Sequence, residues 1–193
     1  MNILVVSDTH GNQRPLRDII SSRGPFDCLI HLGDGVKDGI DVARTSGLPF
    51  HGVCGNEDFG VPFPDTLRLV FSSWTFFMMH GHRMDISAYQ SSRVWEGHLA
   101  NMADLARKED AQVFLFGHTH HPLLAEVDGT VIVNPGDQYI GSSTPPSFAV
   151  VELLPDTLRL KILQRKQNED WSTLISHEVY RLGGNAVGAG AKA

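Results

Sequence analysis

The sequence predicts an α/β fold in which two β-sheets pack together with helices on the outside. Three observations lead there. Short apolar runs alternate with helix-periodic segments over residues 1–54, the signature of parallel strands joined by right-handed crossovers. Paired strand-like runs then flank short turns at Ser72-Ser73, Asp128-Gly129 and Pro155-Asp156, which read as hairpins. A long amphipathic stretch, Ser91 to Lys108, separates the first hairpin from the later ones.

Each element has its own warrant. Ile3 to Ser7 opens the chain as a strand buried on both faces. Gln13 to Ser22 carries Leu16, Ile19 and Ile20 at helical spacing, tolerates Pro15 in its first turn, and stops at Gly24-Pro25. Cys28 to Leu32 is a second buried strand closed by Gly33-Asp34, and Val36 to Ser46 is a helix ended by Gly47. Pro49 to Cys54 is a third strand, closed by Gly55-Asn56. Leu67 to Phe71 and Trp74 to Met79 form a hairpin whose second strand ends at His80-Gly81-His82. Val94, Trp95, Leu99, Met102, Leu105 and Ala106 mark the apolar face of the long helix. Gln112 to Phe116 is a strand ending in Gly117-His118-Thr119-His120. Leu123 to Val127 pairs with Thr130 to Val133, and Ser147 to Leu154 with Thr157 to Leu163. No repeat or interior linker divides residues 1–182, which are expected to be one domain; the Gly/Ala-rich residues 183–193 are expected to be a flexible tail.

The chain has 193 residues, 41% of them hydrophobic and 20% charged, enough for one domain with a sizeable core. No apolar run approaches the ~20 residues of a membrane span. The N-terminal strand has neither a basic n-region nor a cleavage site, so no membrane association and a cytoplasmic location are expected. Cys28 and Cys54 fit no zinc or redox spacing and are expected as reduced, buried thiols. A net charge of −6 without a basic cluster argues against extended nucleic-acid binding. Trp74, Phe76, Phe77 and Trp95 read as core or subunit-interface residues, and nothing suggests a base-stacking platform.

The chemistry lies at strand ends. Asp8-Thr9-His10 follows the first strand, Asp34 the second and Asn56 the third; His80 ends a fourth, and His118 and His120 follow a fifth. In an α/β sheet, ligands bind beyond the carboxyl ends of strands, so these segments converge on one edge. The nitrogen and oxygen donors, without thiolate, suit Mn, Fe, Zn, Ni or Co. They exceed one tetrahedral site and suit a pair of metal ions that clamp phosphate oxygens.

In this order, Asp8-x-His10, Gly33-Asp34, Gly55-Asn56, His80 and Gly117-His118-x-His120 resemble the signature of the calcineurin-like metallophosphoesterase superfamily, in its compact YfcE-type phosphodiesterase branch. The resemblance covers nearly the whole domain and implies a four-layer αββα sandwich. It implies that Asp8, His10 and His120 bind one divalent ion, that Asn56, His80 and His118 bind a second, and that Asp34 bridges them. Manganese is the first choice, with Ni, Fe, Zn or Co as alternatives. The implied reaction is hydrolysis of a small phosphodiester by a metal-bridging hydroxide, with Asp34, Asn56 and His80 at the reacting centre. A homodimer or homotetramer is expected on the same ground.

One position departs from the family. Many members read G-N-H-[DE], where this chain has Gly55-Asn56-Glu57-Asp58. Glu57 is therefore a candidate general acid only if its pKa is raised. Without an efficient acid, good leaving groups should react best, and an added anion should disfavour dianionic monoesters. His82, beside His80, is a candidate phosphate contact. His31 reads as a ligand-orienting or core histidine, while His51, His98, His177 and His121 carry no assigned role. Asn134-Pro135-Gly136-Asp137 resembles a family loop near the site. A phosphomonoesterase and, from a different class, a non-catalytic metal-binding scaffold subunit are the competing functions.

Overall fold

Side chains alternate across the first strand and set the layers of the molecule. In β1 (Asn2–Val6), Ile3 and Val5 point into one apolar cluster while Leu4 and Val6 point into another. This is why the strand reads as unbroken hydrophobic sequence: it is covered on both sides. The structure, a computed structural model, describes residues 1–167, 170–182 and 185–188.

Helix α1 (Gln13–Arg23), strand β2 (Cys28–His31), helix α2 (Val36–Ser46) and strand β3 (Phe50–Gly52) follow as the crossover pattern required. A hairpin, β4 (Thr66–Phe71) and β5 (Trp74–Met79), precedes helix α3 (Ser92–Lys108) and strand β6 (Val113–Leu115). Then come β7 (Leu123–Val127), β8 (Thr130–Asn134), β9 (Ser147–Leu153), β10 (Thr157–Arg165), β11 (Trp171–Leu182) and β12 (Asn185–Gly188).

The strands form a seven-stranded sheet in the order β12-β11-β10-β9-β1-β2-β3 and a five-stranded sheet in the order β4-β5-β6-β8-β7. In the larger sheet β1, β2 and β3 are mutually parallel, and β9 runs antiparallel to β1. In the smaller one β5, β6 and β8 are parallel. Ile3, Val5 and Ile30 meet Trp74, Phe76, Val113 and Leu115 between the sheets. Each such buried side chain contributes about 2–3 kcal/mol through removal from water. Leu16 and Ile19 of α1 and Val42 of α2 pack on the outer face of the larger sheet, and Met102 and Ala106 of α3 pack on the outer face of the smaller one. The four-layer αββα sandwich is thus present. No helix among the described residues is long and apolar enough to cross a membrane.

Two features depart from the sequence reading. Strand β11 carries no clean two-residue alternation, because the β10/β11 register shifts between Ile162 and Leu163. That bulge turns Trp171 toward the helix side while Val179 faces the inter-sheet core. A polar residue, His177, also takes a buried place, with Nε2 2.8 Å from Glu126 Oε2 of β7 across the sandwich. Second, part of the segment 183–193, expected as a flexible tail, carries a strand. Asn185–Gly188 forms β12, antiparallel to β11, because ladder hydrogen bonds need backbone pairing and little side-chain burial. Residues 183–184 and 189–193 of that expected tail lie outside the described residues.

Candidate metal centre

The carboxyl ends of β1, β2 and β3 in one sheet face those of β5 and β6 in the other, and the ligand candidates sit in the turns just beyond. Asp8, His10, Asp34, His118 and His120 all adopt positive φ, at 53°, 44°, 52°, 69° and 59°. Non-glycine residues avoid this region at a cost of order 1 kcal/mol each, and such strain gathers at functional sites. Gly33 must also be glycine: its φ is +104°, and a Cβ there would lie 2.6 Å from His80 Nδ1.

Asp8, His10 and His120 offer ligand atoms within 4.8 Å of one another, as do Asp34, His80 and His118. His10, Asp34 and Glu57 form a third such group, so Asp34 and His10 each belong to two. Asp8 Oδ1 lies 3.3 Å from His120 Nε2 and 3.9 Å from both His10 Nε2 and His80 Nε2. The Nε2 atoms of His10 and His120 approach to 3.4 Å. His80 Nε2 and Asp34 Oδ2 are 3.3 Å apart without hydrogen-bond alignment, and Asp8 Oδ1 and His80 Nε2 are buried with no hydrogen-bond partner. Lone pairs converging on common centres, with buried acceptors left unpaired, fit divalent cations.

Three of the four candidate ligand histidines are aimed by their other nitrogen. His80 Nδ1 donates to the Leu32 carbonyl at 2.7 Å, His120 Nδ1 to Asp137 Oδ2 at 2.7 Å, and His10 Nδ1 to Glu57 Oε2 at 2.9 Å. These bonds leave Nε2 as the inward donor in all three, the usual device for fixing a metal-binding tautomer. Asp137 was legible only as part of a loop, and its role depends on β8 lying beside β6. The same loop braces the site: Asn134 Nδ2 donates to the Gly117 carbonyl and to Thr119 Oγ1.

Glu57 has a different contact from that of a proton donor. Its side chain is 60% exposed and its carboxylate accepts from His10, so it braces a candidate ligand from behind. Asn56 lies exposed in a turn pinned on both sides, by Gly55 N–H to Asp58 and Glu57 N–H to Asp34. His82 sits half-buried beside the second group, its ring 5.6 Å from His80 and 6.4 Å from His118, with Nδ1 unpaired. Burial, then the charges of His80 and Arg83, hold its pKa below the usual range.

His31 is a positioning residue behind the site. Gly33 N–H donates to its Nδ1, and its Nε2 meets Thr9 Oγ1, which donates in turn to Asp38 Oδ2. Burial pushes its pKa down to about 4, matching the neutral tautomer this chain of bonds requires. Asp58 is the residue the sequence reading passed over most completely. Its carboxylate accepts the backbone N–H groups of Asp34, Gly35, Val36 and Gly55, capping α2 and joining two ligand loops.

The charges predict how metal and proton compete. Burial opposes a charge on His120, but the hydrogen bond to Asp137 and the nearby Asp8 carboxylate outweigh it and push its pKa up to about 10. Burial likewise opposes a charge on His80, and Asp34 and Asp8 raise its pKa nonetheless. For Asp34, burial is outweighed by His80 and the Glu57 N–H, leaving a pKa of about 2. At neutral pH metal-free His120 therefore holds a proton that a cation must displace, so affinity there rises with pH below 10. Calorimetry in buffers of different ionisation enthalpy should show about one proton released near pH 7 by the ion that binds His120, with its affinity falling about tenfold per unit on acidification. In Asp137→Asn, less proton release and a 10–100-fold weaker affinity are expected. Affinity independent of pH would contradict this scheme.

Comparison with known proteins agrees with this geometry. Residues 1–155 match the calcineurin-like phosphoesterase superfamily domain. The probable metallophosphoesterase YsnB of Bacillus subtilis is 28% identical over 171 residues, covering 88% of this chain and 94% of that protein. A conserved Streptococcus pneumoniae protein, described as a predicted phosphoesterase, superposes with a TM-score of 0.70 at 24% identity, covering 93% of this chain and 97% of that one. Vps29 of Entamoeba histolytica, solved with zinc, gives a TM-score of 0.70 at 20% identity, covering 97% and 99%.

Proposed function

The chain belongs to the calcineurin-like phosphoesterase superfamily, and on that premise we propose that it is a dinuclear metal-dependent phosphodiesterase acting on a small phosphodiester. The observation that carries this reading is the pair of adjoining donor groups, Asp8/His10/His120 and Asp34/His80/His118. Asn56 would join His80 and His118 in holding the second ion, and Asp34 would serve both ions. Bound there, two divalent ions would lower the pKa of a coordinated water toward ~7 and offset charge on the phosphoryl oxygens.

The chain's own residues do the rest. Asp137, Glu57 and the Leu32 carbonyl hold three imidazoles with Nε2 inward. His82, held neutral at pH 7 by burial and by the charges of His80 and Arg83, is the candidate phosphate contact in this reading. A neutral imidazole is a poor acid, and Glu57 is engaged by His10, so departure of the leaving oxygen gets little proton assistance. Esters with good leaving groups should therefore react best. The carboxylate of Glu57 beside the site favours a monoanionic diester over a dianionic monoester. Manganese is the preferred ion, with Ni, Fe, Zn or Co able to replace it. The buried thiols of Cys28 and Cys54, free of any disulfide, suit a cytoplasmic setting, and a homodimer or homotetramer is the proposed assembly.

A scaffold reading has one specific support, the likeness of the fold to Vps29 proteins. A rate assay on metal-stripped protein separates the alternatives, with Mn, Ni, Zn, Fe and Mg restored singly and an activated diester offered beside its monoester. Diester turnover that returns with a transition metal and is lost in Asn56→Ala or His80→Ala is the expected result. Dominant monoester turnover would make it a phosphatase, and two bound ions without turnover would make it a scaffold.

A further inference from the structure

The donor cluster separates two clefts of unlike chemistry. On one side, a cleft of about 410 Å³ is edged by His10 and Asp34 and lined by charged groups, among them Lys37, Glu57 and Asp58. On the other, a cleft of about 470 Å³ is edged by His118 and His120 and walled by Tyr89, His121 and Tyr139, with no Asp, Glu, Lys or Arg in its lining. Both volumes suit a small-molecule substituent.

The aromatic walls are held in place. Tyr139 is 39% exposed, and its ring centre lies 4.9 Å from His10 and 6.1 Å from His120, perpendicular to the latter. Its loop is tied to the site by Gln138 N–H to the Asp8 carbonyl and Thr144 Oγ1 to the His120 carbonyl. Tyr89 is 86% exposed, yet its ring meets His121 edge-on at 6.0 Å. Its loop is braced by Trp95 Nε1 to the Ser87 carbonyl and Gln90 Nε2 to the Asp85 carbonyl. A large ring left uncovered on a braced loop beside a reaction centre offers a face for stacking a planar group.

We propose that this cleft receives a planar aromatic arm of the substrate, so that the diester is asymmetric: an aryl or heteroaryl arm, as in a nucleoside, lies against Tyr89 and Tyr139, and a polar arm lies in the charged cleft. This rests on the diesterase reading, and the phosphorus sits at the donor cluster between the clefts.

The test compares bis(p-nitrophenyl) phosphate with methyl p-nitrophenyl phosphate, which share a leaving group and differ in the retained arm. The manganese-loaded wild type should prefer the bis-aryl ester in kcat/KM by about tenfold. Tyr89→Ala should remove most of that preference and Tyr89→Phe should keep it. Calorimetric binding of phenyl phosphate against methyl phosphate should show the same difference without turnover. If no diester is hydrolysed but phenyl phosphate still binds more tightly through Tyr89, the cleft stands and the diesterase reading falls. Equal binding of the two phosphates, or of neither, overturns the aromatic cleft. So does a Tyr89→Ala protein whose sedimentation shows an altered oligomer with the phenyl preference intact, since that face would then be a subunit interface.

Discussion

Asp8→Asn is expected to lower kcat/KM for an activated diester by about 10³-fold or more, through loss of bound metal. Asp8 is fully buried, and its Oδ1 stands at the meeting point of His10, His80 and His120. Burial alone would raise its pKa, yet the neighbouring His120 and His80 hold it below the ordinary carboxylate range. It is therefore an anion at neutral pH, facing three imidazole nitrogens. Asparagine preserves the shape and can still accept the His118 N–H that Asp8 Oδ2 receives at 3.0 Å. What it removes is the charge. Metal content by plasma emission spectroscopy should fall along with the rate, while the far-ultraviolet dichroism stays that of the wild type. A variant that kept both its metal and a rate within about tenfold of wild type would remove Asp8 from the ligand set.

The largest effect on stability is expected outside the ligand set. Asp58→Ala should destabilise the fold by about 3–5 kcal/mol, because it strands backbone N–H groups of Asp34, Gly35, Val36 and Gly55. Hydrogen bonds to a charged acceptor contribute about 1.5–3 kcal/mol each, and bonds sharing one acceptor do not add fully. For a domain of this size, a drop of roughly 10 °C in Tm follows. Asp58→Asn keeps one acceptor oxygen and should lose about half as much. The same change frees the positive-φ turn at Asp34, so metal should bind more weakly even at temperatures where the protein is folded. A melting midpoint within about 2 °C of wild type would show that water replaces the carboxylate without difficulty.

These two predictions mark different degrees of legibility. Asp8 stands out in the sequence because it follows an apolar strand and precedes His10. Asp58 does not, because its partners lie on α2 and the preceding turn, brought to it only when β2 and β3 pair. The same holds for Asp137, visible as a loop residue and meaningful only once β8 docks beside β6 and places it against His120. Glu57 could be singled out from the motif it interrupts, but only its approach to His10 shows which nitrogen it engages. Strand β11 was illegible because a bulge breaks the period on which strand recognition depends, and because His177 occupies a buried position normally apolar. Tyr89 and Tyr139 are fifty positions apart in the numbering, and their shared cleft has no sequence signature at all.

The sequence by itself determined the layers, the strands from β1 to β10 and the residues that end them. Those follow from local rules: apolar periodicity selects strand or helix, and glycine permits the sharp turns where ligand-type residues appear. Tertiary structure alone decided the tautomers, the caps and the two clefts. These depend on contacts between residues far apart in sequence, and hydrogen-bond direction and cavity shape exist only once the sheets have packed.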